Sequence, residues 1–234
     1  YLDAPPEPNP ELGLRSIRFT LSHRDIFTTQ IRAILRAAAG ARDARIMFPM
    51  ISSLDEFLEA RQVVFSAMEE LSEEKLDFCD RPSIGMMVEL PSLVDIMDEL
   101  ADVTDFFAIG TNDFVQYMLA VDRTNHRVSQ YYASHHPAVL RGLDRIVRAA
   151  DRKGKEVSIC GEMAHEKAHL PFLLGIGIRL FSVNPQFLPQ LQESISRISL
   201  SEAREYAGAL LSGSSLKRIQ EIMADRKWKE RFGL

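Results

Sequence analysis

Ile84-Gly85-Met86-Met87-Val88-Glu89 and Phe106-Phe107-Ala108-Ile109-Gly110-Thr111-Asn112-Asp113 share one pattern: a short apolar run that passes directly into polar residues bearing an acid. Neither run alternates apolar with polar, so both faces are expected to be covered, as in a parallel sheet packed between other layers. Three further runs have the same character: Arg45-Ile46-Met47-Phe48-Pro49-Met50, Val157-Ser158-Ile159-Cys160 and Ile178-Arg179-Leu180-Phe181-Ser182-Val183. Helical patterns lie between them. Leu54, Phe57, Leu58, Arg61, Val64, Phe65, Met68 and Leu71 recur at steps of three and four, and Ser53 with Glu56 forms a capping box at the start. Ile26, Phe27, Gln30, Ile31, Ile34, Leu35 and Ala38 make a similar stripe that Gly40 is placed to end. Pro91 and Pro137 stand where helices begin, and Gly154 where the second of these closes.

Strands alternating with helices predict an α/β fold with right-handed crossovers. Two architectures compete, a doubly wound sheet and a (β/α)8 barrel of the TIM type. No glycine-rich dinucleotide fingerprint follows any strand. Polar groups instead follow several strands: Glu89, Asn112-Asp113, Cys160 with Glu162, and Asn184. Reactive groups from several strand ends on one rim favour the barrel, although five strands do not close a barrel of eight.

Composition narrows the function classes. Of 234 residues, 46% are hydrophobic and 26% charged, which excludes a disordered or collagen-like chain. Lys+Arg is 28 against 33 Asp+Glu, a net charge of -5 that argues against a nucleic-acid binder. Two cysteines, Cys79 and Cys160, make neither a disulfide framework nor a zinc pattern, and suit a reducing, cytoplasmic setting. No apolar run approaches the roughly 20 residues that span a bilayer, and no secretory signal opens the chain, so no membrane role is expected. The chain begins at Tyr1 and carries four prolines between Leu2 and Pro10. Residues 1–10 therefore read as a linker or cut loop, and 11–234 as one partial barrel domain with a helical tail from Ser201 that carries Trp228.

Glu89 and Asp113 end neighbouring units. If the strands are parallel, both carboxylates project from one end, where two hard oxygen ligands with room for water and a phosphate suit Mg²⁺. Taken singly, each could equally be a helix-start acid that complements a dipole; the pair favours the metal. Arg18, Arg45 and Arg123 are candidate anion holders, because a guanidinium donates two parallel hydrogen bonds to phosphate or carboxylate. The alternative is that they are solvated surface charges. Cys160 is either an inert buried thiol or, at a catalytic rim, a proton donor. His135-His136-Pro137 reads as a loop or cap, since no third metal ligand is evident nearby.

Together these segments resemble a known family. Asn9-Pro10-Glu11-Leu12-Gly13-Leu14-Arg15-Ser16-Ile17-Arg18, then the Arg45–Met50 run, Gly85–Glu89, Gly110-Thr111-Asn112-Asp113-Phe114-Val115-Gln116-Tyr117 with Val121-Asp122-Arg123, and Cys160-Gly161-Glu162 follow one another in order. That succession is similar to the C-terminal, phosphoenolpyruvate-binding barrel of enzyme I of the phosphotransferase system, the phosphoenolpyruvate-protein phosphotransferases, over roughly residues 9 to 200. The Ser158–Ala164 stretch leans toward the nitrogen-related rather than the sugar branch. Pyruvate phosphate dikinase and phosphoenolpyruvate synthase share the barrel and are the nearest alternatives.

The resemblance implies that Glu89 and Asp113 hold Mg²⁺. It implies that Arg18, Arg45 and Arg123, with Asn112, grip phosphoenolpyruvate, and that Cys160 protonates the enolpyruvate carbon as the phosphoryl group leaves. It further implies a homodimer, and a histidine phosphocarrier partner reached through an acceptor histidine on another domain. No Gly-Gly-x-x-Ser-His-type motif occurs here, so the chain alone is expected to bind substrate without transferring its phosphoryl group, and to cover its open strand edges by self-association. Glu11 and Ala164-His165-Glu166 depart from the family pattern. Two other readings compete: a Mg²⁺-dependent lyase or aldolase acting on pyruvate-like acids, and a non-catalytic phosphoenolpyruvate-sensing dimerisation module.

Overall fold

A computed structural model describes residues 7–233. Most of the expected linker, residues 1–6, lies outside the described residues, and a 3-10 turn at Pro10–Leu12 is the first element among the described ones. Five strands follow: β1 (Arg45–Phe48), β2 (Ser83–Val88), β3 (Phe106–Gly110), β4 (Glu156–Cys160) and β5 (Leu180–Phe181). They pair in sequence order, β1-β2-β3-β4-β5, and every pair is parallel. A doubly wound sheet would reverse its order at a switch point. An unreversed order is that of consecutive units in a (β/α)8 barrel, and the five strands form an open arc of one.

The helices between the strands account for the apolar stripes. α1 (Ser16–Ser22) and α2 (Arg24–Ala37) precede β1, and α3 (Leu54–Glu73) links β1 to β2. A 3-10 turn, Pro91–Ile96, leads into α4 (Met97–Val103) before β3. α5 (Thr111–Leu119) and α6 (Pro137–Arg152) lie between β3 and β4, and α7 (Leu170–Ile176) between β4 and β5. Ser53 accepts from the Glu56 N–H at 3.2 Å, but the Glu56 carboxylate reaches back to the Ser52 N–H rather than to Ser53, a capping box displaced by one residue. His136 caps α6, its Nδ1 accepting from the Ala138 N–H at 3.1 Å. That bond answers the histidine pair with a cap, the reading its position before Pro137 favoured.

Alternation along the strands sorts the two faces. Ile46, Phe48, Ile84, Met86, Val88, Phe107, Ile109 and Ile159 point into one core shared with the helices. The opposite face carries Met47 beside Gly85, Met87 beside Ala108, and Gly110 beside Cys160. This face is the open one: Met47 is 38% and Leu180 41% exposed. In a closed barrel it would line the interior.

The tail continues with α8 (Leu188–Ser196), α9 (Leu200–Ser212), α10 (Leu216–Ala224) and α11 (Arg226–Phe232). Trp228 is buried against Tyr206 and Phe232, with ring centroids 5.2 and 5.9 Å away. Lys227 and Arg231 lie over the indole face. The amphipathic stripe of the tail thus packs onto the body through α9. Trp228→Ala should lower stability by about 3–5 kcal/mol in urea titrations followed by circular dichroism, by emptying a buried aromatic site.

Candidate active site

The site is built at the C-terminal ends of the strands. Glu89 follows β2 directly and is buried, 3% exposed. Its space comes from Gly110 at the end of β3: a Cβ there would lie 2.9 Å from Glu89 Oε2 and 2.8 Å from the Met87 sulfur. Glu89 Oε1 accepts from the Met50 N–H at 2.6 Å. Met50 delivers that N–H from a left-handed conformation, φ +57°, uncommon for a residue other than glycine. Burial is the main cause of a Glu89 pKa pushed up to about 7. The Met50 N–H opposes the rise, the neighbouring Asp113 adds to it, and the Arg15 charge opposes it.

Asp113 is the third residue of α5, where the helix dipole favours a negative charge. Its Oδ1 is buried without a hydrogen-bond donor, and its ion-pair partner, Arg123 Nη2, is 3.8 Å away. A buried carboxylate oxygen with no hydrogen-bond donor, beside a second carboxylate that resists ionisation, leaves acceptor capacity that a cation could use. Both residues offer hard oxygens, and no cluster of three or more His, Cys, Asp or Glu fit to hold a metal occurs among the described residues. Two carboxylates with the remaining positions left to water and substrate suit Mg²⁺ and fall short of a calcium cage.

Cys160 ends β4 opposite Gly110, on the same face of the sheet as Glu89. Burial pushes its thiol pKa up, and the Glu89 and Asp113 charges push it further, so the sulfur holds its proton at neutral pH. Sγ donates to the Ile109 carbonyl at 3.4 Å. The turn beyond is fixed by α5. Thr111 Oγ1 donates to the Cys160 carbonyl at 2.7 Å, and Asn112 Oδ1 accepts from the Glu162 N–H at 2.9 Å. Gly161 is obligatory between them: its φ is +90°, and a Cβ would lie 2.3 Å from Thr111 Oγ1. Tyr132 donates to the Asn112 carbonyl at 3.2 Å and, with Arg123, Thr124, Ser129 and Glu162, lines a cleft of about 380 Å³ beside the site.

The structure therefore brings together Glu89, Asp113, Asn112, Arg123 and Cys160. Arg45 is a correction. It begins β1 in register with Ser83, six residues before Glu89, which at about 3.3 Å per residue is roughly 20 Å along the strand. There it pairs with Glu156 and, at 3.1 Å, Asp43, and lies over the Phe106 ring. Parallel strands put their starts and ends on opposite rims, and Arg45 belongs to the wrong one. Arg18 is a second correction: its Nη1 donates to the Leu12 carbonyl at 3.0 Å and holds the turn. Arg15, one helical turn earlier, is the arginine whose charge reaches Glu89 and Asp113. It stands immediately before α1 in the stretch quoted above, and its place at the start of that helix, within the Asn9–Arg18 stretch, is the signal that marks it.

The chain is a parallel α/β arc that gathers two carboxylates and a thiol at the C-terminal ends of its strands, the rim on which barrel folds place their reactive groups. Residues 1–200 match the family model "PEP-utilising enzyme, PEP-binding domain", and the chain belongs to that family. It is 42% identical over 219 residues to a phosphoenolpyruvate-protein phosphotransferase of Bacillus subtilis, covering 94% of this chain and 38% of that one. It is 40% identical over 223 residues to the protein so named from Priestia megaterium, covering 95% of this chain and 39% of that one. The chain thus spans about two fifths of the length of the relatives it matches. Among solved structures, a citrate lyase from Burkholderia xenovorans aligns with a TM-score of 0.52 over 88% of this chain and 69% of its own, at 16% identity, a likeness of fold. No helix among the described residues is long and apolar enough to cross a membrane.

The raised Glu89 pKa has a signed consequence. The folded state binds this proton more tightly than the unfolded chain, so the folded state gains from it below the unfolded pKa of 4.5 and loses that gain as pH rises toward 7. Metal-free protein should lose about 3 kcal/mol of stability across that window, and Glu89→Gln should flatten the profile. Urea titrations at stepped pH measure both. Gly110→Ala should destabilise by about 1–3 kcal/mol by crowding the carboxylate, as thermal unfolding would report.

Proposed function

We propose that this chain is the substrate-binding barrel domain of a phosphoenolpyruvate-protein phosphotransferase, and that it binds phosphoenolpyruvate with Mg²⁺ at the rim formed by Glu89, Asp113, Arg15, Arg123, Asn112 and Cys160. The observation that carries the reading is the Cys160 thiol at the strand ends beside Glu89 and Asp113, the latter with a carboxylate oxygen that has no hydrogen-bond partner. Residues 11–234 act as one domain, with the phosphoryl-accepting histidine supplied from outside it. The partners are phosphoenolpyruvate or pyruvate, a histidine phosphocarrier and a second copy of the chain.

Each side chain then has a task. Glu89 and Asp113 would hold the divalent cation, whose charge, when bound, neutralises the phosphoryl oxygens. Arg15 and Arg123 meet the anionic groups of the substrate with charge-assisted hydrogen bonds. Asn112 holds the Glu162 N–H, and Thr111 holds the Cys160 carbonyl, so the thiol keeps its aim during turnover. The P–O bond to the enol oxygen breaks and the phosphorus passes to the acceptor nitrogen. The enolate left behind takes the Sγ proton on its methylene carbon to become pyruvate, and the thiolate recovers a proton from water. Burial, the main cause of the raised Cys160 pKa, keeps the thiol proton in place until carbanion character develops on the substrate.

Isothermal titration with Mg²⁺ and phosphoenolpyruvate tests the assignment. Asp113→Asn should weaken binding about tenfold or more, whereas Arg45→Ala should leave it within about twofold, since Arg45 lies on the other rim. Equal losses in the two variants would contradict the site. Cys160→Ser should keep binding and slow exchange of the pyruvate methyl protons with solvent by about 100-fold or more, read by proton NMR in deuterated water. Unchanged exchange would remove Cys160 from the chemistry.

A further inference from the structure

The free domain does not leave Arg15 idle. Its Nη1 pairs with Glu11 Oε2 across one turn of the entry segment, and both side chains are partly exposed, 34% and 42%. Glu11 is tethered independently of that pair: Tyr117 Oη, on α5, donates to its backbone carbonyl at 2.5 Å. The carboxylate thus rises from a turn anchored to the helix that carries Asp113. Arg15 pairs with Glu11 while its charge also acts on Glu89 and Asp113. Glu11 also borders a groove of about 390 Å³ with Gln116, Tyr117, Asp122 and Thr124, so its side chain has open space to swing into when displaced.

We propose that Glu11 is a built-in competitor for the substrate anion: its carboxylate occupies the Arg15 guanidinium that the phosphate or carboxylate of the substrate must take, and so sets how tightly the domain binds. This rests on the phosphoenolpyruvate reading above, and it concerns a position at which this sequence departs from the family pattern. Three acidic groups, Glu11, Glu89 and Asp113, face two arginines here, so an arriving anion meets a net negative site until a cation is present. Glu11 therefore makes anion binding weaker and more dependent on Mg²⁺ than the arginines alone would. A partly exposed ion pair contributes about 0.2–1 kcal/mol, so displacing it lowers substrate affinity by about 1.4–5-fold.

The test uses Glu11→Gln, which keeps the shape and removes the charge, with two readouts on the whole chain. Phenylglyoxal modification of Arg15, followed by peptide mass spectrometry, should speed up by about 2–5-fold once the carboxylate is gone. Titration with phosphoenolpyruvate in Mg²⁺ should show affinity tightened by a similar factor, and that gain should vanish in an Arg15→Gln background. A merely structural Glu11 would give weaker binding, the opposite sign. Level phenylglyoxal labelling with phosphoenolpyruvate still bound by the native chain would overturn this proposal alone. Faster labelling with no phosphoenolpyruvate bound by either protein would overturn it through the substrate reading beneath it.

Discussion

A carboxylate kept from water is the constraint around which the rim is arranged. Glu89 is placed beyond the last residue of a buried strand, where an ion is costly to hold. The neighbouring strand gives up a side chain at Gly110 to make room, and Met50 adopts a left-handed backbone to offer its N–H. Asp113, on the next unit, adds a second negative group instead of relieving the first. Burial and the second carboxylate make Glu89 costly to ionise, and under the proposed reading a divalent cation shared by the two carboxylates would offset that cost.

That same field determines the state of Cys160. A thiol near arginines alone would lose its proton readily. Here burial and two carboxylates hold it in the neutral form. The α5 helix links these tasks: Thr111, Asn112 and Asp113 are consecutive, and they act on the Cys160 carbonyl, the Glu162 N–H and the Glu89 carboxylate in turn. Gly161 accepts the positive φ that lets the turn pass so close to α5.

Much of this was legible in residue order. Five near-continuous apolar runs became five parallel strands, but the expected cover on both faces is incomplete: the face away from the helices is open at Met47 and Leu180, and only a closed barrel would cover it. Polar residues at several strand ends marked the rim, because parallel strands place their ends together. The arginines were less legible. Arg45 precedes its apolar run whereas Glu89 and Asp113 follow theirs, so residue order already sets it on the far rim once the strands are parallel, as the register with Ser83 shows. Arg15 and Arg18 share a helix entry three residues apart, and the choice between them is made by the turn at Pro10–Leu12, which turns Arg18 onto the Leu12 carbonyl. The tail from Ser201 was legible as helical, and its division into α9, α10 and α11 is marked by side-chain caps at Ser215 and Asp225.

The claim that two carboxylates share one divalent ion beside the thiol is most directly tested with Mn²⁺, read by electron paramagnetic resonance on the native chain and on Glu89→Gln and Asp113→Asn. The account predicts one bound ion in the native chain, with binding lost in either single variant while both variants remain folded. Native-strength Mn²⁺ binding in both variants, or no bound ion in the native chain at neutral pH, would contradict it.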